Sequence, residues 1–140
     1  MDSTRTVLIV DDSEDCAETL EMALHGLKDI KVSTVNSAED ALLQLSRGNV
    51  AALITDLHLP QMDGLHLLSA LRTRNNDHYT PVLVISGDSD PRTPARVLQA
   101  GAQAFFLKPY SPAAVRRKLE ELLRAGGRNG NHGSEGQAKS

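Results

Sequence analysis

Tryptophan is absent from this 140-residue chain, cysteine occurs once, and aromatic residues make up only 3% of it. A core without large rings must be filled by Val, Leu, Ile and Ala, as in parallel sheets covered by helices. The lone thiol, Cys16, cannot form an internal disulfide and offers no metal-ligand spacing, so it reads as a helix packing residue. No apolar run approaches the roughly 20 residues of a bilayer-spanning helix. The N-terminal MDSTRTVLIVDD lacks the basic region and long apolar segment of a signal peptide, and a cytoplasmic location without membrane contact is expected. A basic surplus is missing as well. The net charge of -3 and the pI near 5.9 argue against direct nucleic-acid binding, which favours basic surfaces. What remains, 40% hydrophobic and 24% charged residues, is an ordinary composition for one domain with a real core.

The chain is organised around VAALITDLHLPQMDG, from Val50 to Gly64. Its apolar run suits a strand buried on both faces, and that run ends on a carboxylate, Asp56. Leu59, Pro60 and Asp63-Gly64 cannot continue the strand, and Asp63 can cap a helix carrying Leu65, Leu67, Leu68 and Leu71.

The same alternation runs along the whole sequence. Val7 to Val10 is a branched strand ending in Asp11-Asp12, with Ser13 capping a helix from Glu14 to His25 that stops at Gly26. Ile30 to Val35 reads as an edge strand, and Ser37 with Asp40 starts a helix that ends at Gly48. Pro81 to Ile85 forms a fourth strand ending on Ser86-Gly87. The acidic, Pro-containing segment 88–93 delays the next helix, which is expected short and weakly anchored, from Pro94 with Thr93 as cap to Gly101 as stop. Ala104 to Leu107 ends on Lys108-Pro109, and Ser111-Pro112 caps a last helix through Val115, Leu119, Leu122 and Leu123.

Strands alternating with helices imply a parallel sheet, because each helix is a crossover. The expected fold is α/β: a doubly wound five-stranded parallel sheet of the flavodoxin-like kind, order 2-1-3-4-5. One domain should span 1–125, and 126–140, Gly-rich and polar, should be a disordered tail or the start of a linker.

Strand ends converge in such a sheet, which brings together Asp11, Asp12, Asp56, Ser86 and Lys108. Clustered carboxylates repel one another unless a cation neutralises them, and Mg²⁺, a hard ion that takes oxygen ligands, answers that need. A carboxylate beside such an ion can act as a nucleophile and become an aspartyl phosphate. Asp56 is the best placed, with the Lys108 ammonium and the Ser86 hydroxyl available to hold phosphoryl oxygens. Taken singly, each residue has a plainer role. Asp11 and Asp12 suit a helix-capping loop, Asp56 and Ser86 suit turns, Lys108 suits the surface and Phe105 the core.

The joint pattern resembles the receiver domain of two-component response regulators. Acidic pair after strand 1, Asp at the end of strand 3, Ser at the end of strand 4 and Lys-Pro at the end of strand 5 all match, over roughly residues 5–125. The resemblance implies that Asp56 is the phosphoacceptor, that Asp11 and Asp12 hold Mg²⁺ with the Leu57 or His58 backbone, and that Ser86 and Lys108 bind the phosphoryl group. It further implies a cis bond before Pro109 and a ring at Phe105 that moves when Ser86 engages phosphate; as a Phe, it lacks the hydroxyl tether a Tyr would make. His58 falls where the family tunes hydrolysis of the acyl phosphate. The implied partners are a sensor histidine kinase or a histidine phosphotransfer protein, and an unidentified downstream target or output domain. The implied form is a monomer or a phosphorylation-dependent dimer. Such a protein is a switch rather than an enzyme, catalysing at most its own phosphorylation and dephosphorylation. The 87–93 connection should be its mobile element, and the face of helix 4, strand 5 and helix 5 its readout, with Arg92, Arg96, Tyr110 and Arg117 as contacts.

Three other readings compete. A phosphatase of the haloacid dehalogenase type wants a second Asp two residues after the first, where this chain has Ser13 after Asp11 and His58 after Asp56, and it wants a cap. A flavodoxin-like carrier wants a hydroxyl-rich phosphate loop, and Asp11 and Asp12 would repel a flavin phosphate. A receiver that only binds partners is disfavoured because no key residue is missing. His25, His66, His78 and His132 have no metal partners at helical spacing and read as solvated, as does the basic run 116–118 beside Glu120 and Glu121.

Overall fold

The computed structural model describes residues 4–74 and 80–128. The elements run β1 (Arg5–Val10), α1 (Glu14–Ala23), β2 (Ile30–Val35), α2 (Ala38–Ser46), β3 (Val50–Asp56), α3 (Gly64–Arg74), β4 (Val82–Ser86), α4 (Thr93–Gln99), β5 (Ala104–Leu107) and α5 (Pro112–Arg128). All strand pairs are parallel, in the order β2-β1-β3-β4-β5. The expected α/β, doubly wound architecture of flavodoxin-like type is therefore present.

Two cores explain how the sheet is covered. Strand side chains alternate between faces, so Leu8, Val10, Leu53, Val82 and Val84 pack with α2, α3 and Val97 of α4. Val7, Ile9, Ile54, Leu83 and Ile85 pack on the opposite face with Leu20 and Leu24 from the α1 region and Val115 and Leu119 of α5. The continuous apolar runs of β1, β3 and β4 follow from this double burial.

Local signals for the helix starts work as expected. Ser13, Ser37, Asp63 and Ser111 accept the amides of Cys16, Asp40, His66 and Ala114, satisfying donors that have no partner inside the helix. The peptide before Pro109 is cis.

Several boundaries differ from the sequence reading. Helix α1 ends at Ala23 rather than His25, and the chain turns through Gly26 at φ 90°. Pro81 lies outside β4, where its carbonyl still accepts the Leu53 amide. Thr93 is not the cap of α4 but its first residue; Arg92 precedes it and makes no side-chain cap. Thr93 is buried, and its hydroxyl donates to Asp88 Oδ2 at 3.1 Å. Helix α5 continues through Gly126 and Gly127 to Arg128, past the expected boundary at 125, because glycine weakens a helix without forbidding it. The expected tail from 129 on, together with His78 and His132, lies outside the described residues.

Arg116 is no solvated member of a basic run. Beside its contact with Glu120, Nη1 donates to the carbonyls of Ala23 at 2.8 Å and His25 at 2.9 Å, closing the C-terminal end of α1 from α5.

Candidate functional site

The parallel register builds the site one strand end at a time. Val10 pairs with Thr55, Asp56 with Ile85, and Ser86 with Leu107. The next residue along each strand thus emerges at the same rim: Asp11 beside Asp56, and Lys108 beside Ser86. The carboxylates of Asp11, Asp12 and Asp56 lie with ligand oxygens within 4.8 Å of one another. Asp11 and Asp56 are buried, whereas Asp12 is exposed.

The two buried carboxylates are held in place. Asp11 Oδ1 accepts the Ser13 amide and Asp56 Oδ1 the His58 amide, both at 2.9 Å. Lys108 reaches back to Asp56 Oδ2 at 2.8 Å. Electrostatics follow from that geometry. Burial pushes the Asp11 carboxyl up, the Ser13 amide opposes it, and the nearby Asp56 charge adds to the rise. Burial would lower the Lys108 ammonium, but its bond to Asp56 and the surrounding carboxylates outweigh burial and raise it. A buried acid driven toward its neutral form beside two further carboxylates is a site short of positive charge. Oxygen donors at this spacing fit a hard divalent cation such as Mg²⁺.

Of the two backbone candidates beside the acids, Leu57 is occupied. Its carbonyl accepts the Gly64 amide at 2.7 Å and its amide bonds to Ile85 O at 2.9 Å. The His58 carbonyl is therefore the better donor to a cation. Gly64 is a positioning residue that sequence reading took only as a strand breaker. A Cβ there would lie 2.7 Å from the Asp56 carbonyl and 3.0 Å from Leu57 Cα, so any side chain would push the backbone of Asp56 itself.

Ser86 is fully buried, and its hydroxyl accepts the Asp88 amide at 2.9 Å rather than touching Asp56. Phe105 is half-buried and packs against the core on the α2 to α4 side, apart from the carboxylates. The His58 ring is exposed at the mouth of the site, with Nε2 3.8 Å from Asp88 Oδ2. Among the proposed readout contacts, Arg92, Arg96 and Arg117 are exposed, and Arg92 pairs with Asp90 at 2.9 Å. Tyr110 is half-buried against the α1/α5 core, and burial pushes its phenol up. The 87–93 connection is tied as well: Asp88 Oδ1 accepts the Asp90 amide and Asp90 Oδ1 the Arg92 amide, each at 2.9 Å.

Comparison with known proteins gives a consistent answer. The family model for the response regulator receiver domain matches residues 7–120. The transcriptional regulatory protein PrrA of Mycobacterium leprae is 33% identical over 133 residues, covering 95% of this chain and 56% of PrrA. The sensory/regulatory protein RpfC of Xanthomonas campestris is 37% identical over 118 residues, covering 83% of this chain and 16% of RpfC. The chain thus spans about half of the first relative and a small part of the second. Among solved structures, a putative response regulator from Chloroflexus aurantiacus aligns with a TM-score of 0.78 at 31% identity, covering 86% of this chain and 98% of that one. The rim of carboxylates, the staggered strands that carry it and the match along most of the sequence agree: this chain belongs to the receiver domain family of two-component response regulators.

Proposed function

We propose that this chain is a phosphorylation-driven switch in which Asp56 is the phosphoacceptor. The observation that carries the reading is the Asp56 carboxylate itself, buried, fixed by Lys108 at 2.8 Å and set against two further acids at the strand ends. Asp11, Asp12, Asp56 and the His58 carbonyl would hold Mg²⁺, which supplies charge neutralisation for the incoming phosphoryl oxygens. Asp56 Oδ attacks phosphorus in line, the bond to the donor's nitrogen or oxygen breaks, and the donor leaves with the electron pair. Lys108 and the Ser86 hydroxyl then pair with phosphoryl oxygens.

The donor is a sensor histidine kinase or a histidine phosphotransfer protein in the cytoplasm. No described helix is long and apolar enough to cross a membrane. The response is read on the α4/β5/α5 face. Leu98 and Leu107 are about half exposed on these elements, at 47% and 49%, and Arg96 and Arg117 are exposed as well, which suits a protein partner or a second copy after phosphorylation. The His58 ring at the mouth supports a role in setting the lifetime of the acyl phosphate.

Intact mass after incubation with acetyl phosphate tests the reading. A gain of one phosphoryl group is expected with Mg²⁺, and none with EDTA or in Asp56→Asn. A folded, Mg²⁺-loaded protein that gains nothing from acetyl phosphate or from any phosphohistidine donor would instead be a binding module that works without phosphorylation.

A further inference from the structure

Asp88 holds two things that the proposed switch must move together. Its amide donates to the Ser86 hydroxyl at 2.9 Å, tying it to the end of β4. Its carboxylate bonds the connection and the helix: Oδ1 accepts the Asp90 amide at 2.9 Å and Oδ2, 3.8 Å from His58 Nε2, accepts the Thr93 hydroxyl at 3.1 Å. Thr93 is the first residue of α4, is only 3% exposed, and its own amide donates to Asp90 O at 3.1 Å. The connection from 88 to 93 and the first turn of α4 are thereby bonded into one piece, joined to the strand end through the Ser86 hydroxyl.

The far end of α4 is held differently. Arg72 of α3 donates to the carbonyls of Gly101 at 2.7 Å and Thr80 at 2.8 Å, which anchors the turn after α4 to the body of the domain. Helix α4 is only seven residues long, has no side-chain cap at Arg92 and buries Thr93 and Val97. A short helix pinned at one end and tied by exchangeable hydrogen bonds at the other pivots on the pinned end.

We propose that the Asp88–Thr93 hydrogen bond is the coupling element of this receiver, with Asp88 and Thr93 as positioning residues that make displacement of Ser86 Oγ and displacement of α4 a single event. The inference rests on the reading of Asp56 as phosphoacceptor. Once the Ser86 hydroxyl turns to a phosphoryl oxygen, the Asp88 amide loses its acceptor. The bonded piece then shifts as a unit and carries the N-terminal end of α4 with it. Without the Thr93 hydroxyl, Ser86 still turns, but the movement stops in the connection.

The test pairs intact mass with amide NMR on the whole chain, before and after acetyl phosphate and Mg²⁺. Thr93→Val removes the hydroxyl at nearly constant volume and leaves every residue of the acceptor site in place. Its mass gain should equal that of the unaltered chain. Phosphorylation-induced amide shifts at 56–58 and 86–88 should persist, while those of 95–99 and 104–106 fall to less than half. Thr93→Ser keeps the hydroxyl and should restore them, a rescue that a general packing defect would not show. Asp88→Ala gives the same measurement should Thr93→Val fold poorly, and Asp88→Asn, which can still bond Asp90 and Thr93, should behave like the unaltered chain. Equal mass gain with undiminished α4 shifts in Thr93→Val would overturn the coupling and leave the acceptor reading intact. No mass gain in the unaltered chain, from acetyl phosphate or from a phosphohistidine donor, would overturn both.

Discussion

The α1/α5 side of the sheet and the α4 end on the other side are held by different forces. On the first, Leu20, Leu24, Val115 and Leu119 are each no more than 1% exposed, and Arg116 closes the end of α1 from α5. On the second, α4 buries only Thr93 and Val97, leaves Leu98 47% exposed, and is tied at its N-terminal end through Asp88. Apolar burial is non-directional and spread over many contacts, so no single event undoes it. A hydrogen bond can be exchanged for another at little net cost. The domain therefore has a fixed side and a releasable side, and the proposed phosphorylation site lies on the rim they share.

The sharpest way to break this contrast is on the fixed side. Leu119→Ala should cost about 2–5 kcal/mol, as expected for a fully buried leucine, seen as a lower urea midpoint. A loss below that of any α4 substitution would mean the two sides are not held differently. Arg116→Ala should follow at about 1.5–3 kcal/mol, because it removes a charged donor from the end of α1. Hydrogen exchange should then accelerate near 20–25, well away from α4.

Charge sets the third prediction. Asp11 has its carboxyl raised by burial, so folding disfavours its ionised form. That penalty is absent below its ordinary value of 3.8 and complete once pH exceeds the raised folded-state value. Asp11→Asn should thus raise Tm at neutral pH without Mg²⁺ and have no such effect in strong acid. Lys108 works in the opposite range. Its raised ammonium stabilises the fold fully below its ordinary 10.5, and that contribution is lost as pH rises through the raised folded-state value. Lys108→Met should therefore flatten the alkaline limb of a Tm against pH curve.

Thr93→Val should have the smallest effect on stability, about 0.5–1.5 kcal/mol for one hydrogen bond. A urea midpoint shift as large as that of Leu119→Ala would show that α4 is anchored as firmly as α5.

Much of this protein is legible in one dimension. Period and punctuation located each strand and helix of the described residues, since β3 must be buried on both faces and Ser13, Ser37, Asp63 and Ser111 are helix starts by chemistry. The convergence of Asp11, Asp12, Asp56 and Lys108 was legible too, because parallel strands must deliver their ends to one rim. Other features had no local signal. Gly64 looks like any turn glycine until the Asp56 carbonyl is found 2.7 Å from where its Cβ would be. Arg116 looks solvated beside Glu120 until α1 ends within its reach, and nothing local to Tyr110 shows that it packs against the α1/α5 core. Thr93 resembles a cap, yet its hydroxyl goes to Asp88.

The sequence by itself thus determined the fold class and which side chains meet at the rim of strand ends, because both depend on residue type and spacing along the chain. Only the tertiary structure decided that Leu57 O is already taken, that Ser86 rests on Asp88, and that α4 is latched at one end and pinned at the other. These depend on which backbone groups from distant segments come within hydrogen-bond distance, and no spacing along a single segment encodes that.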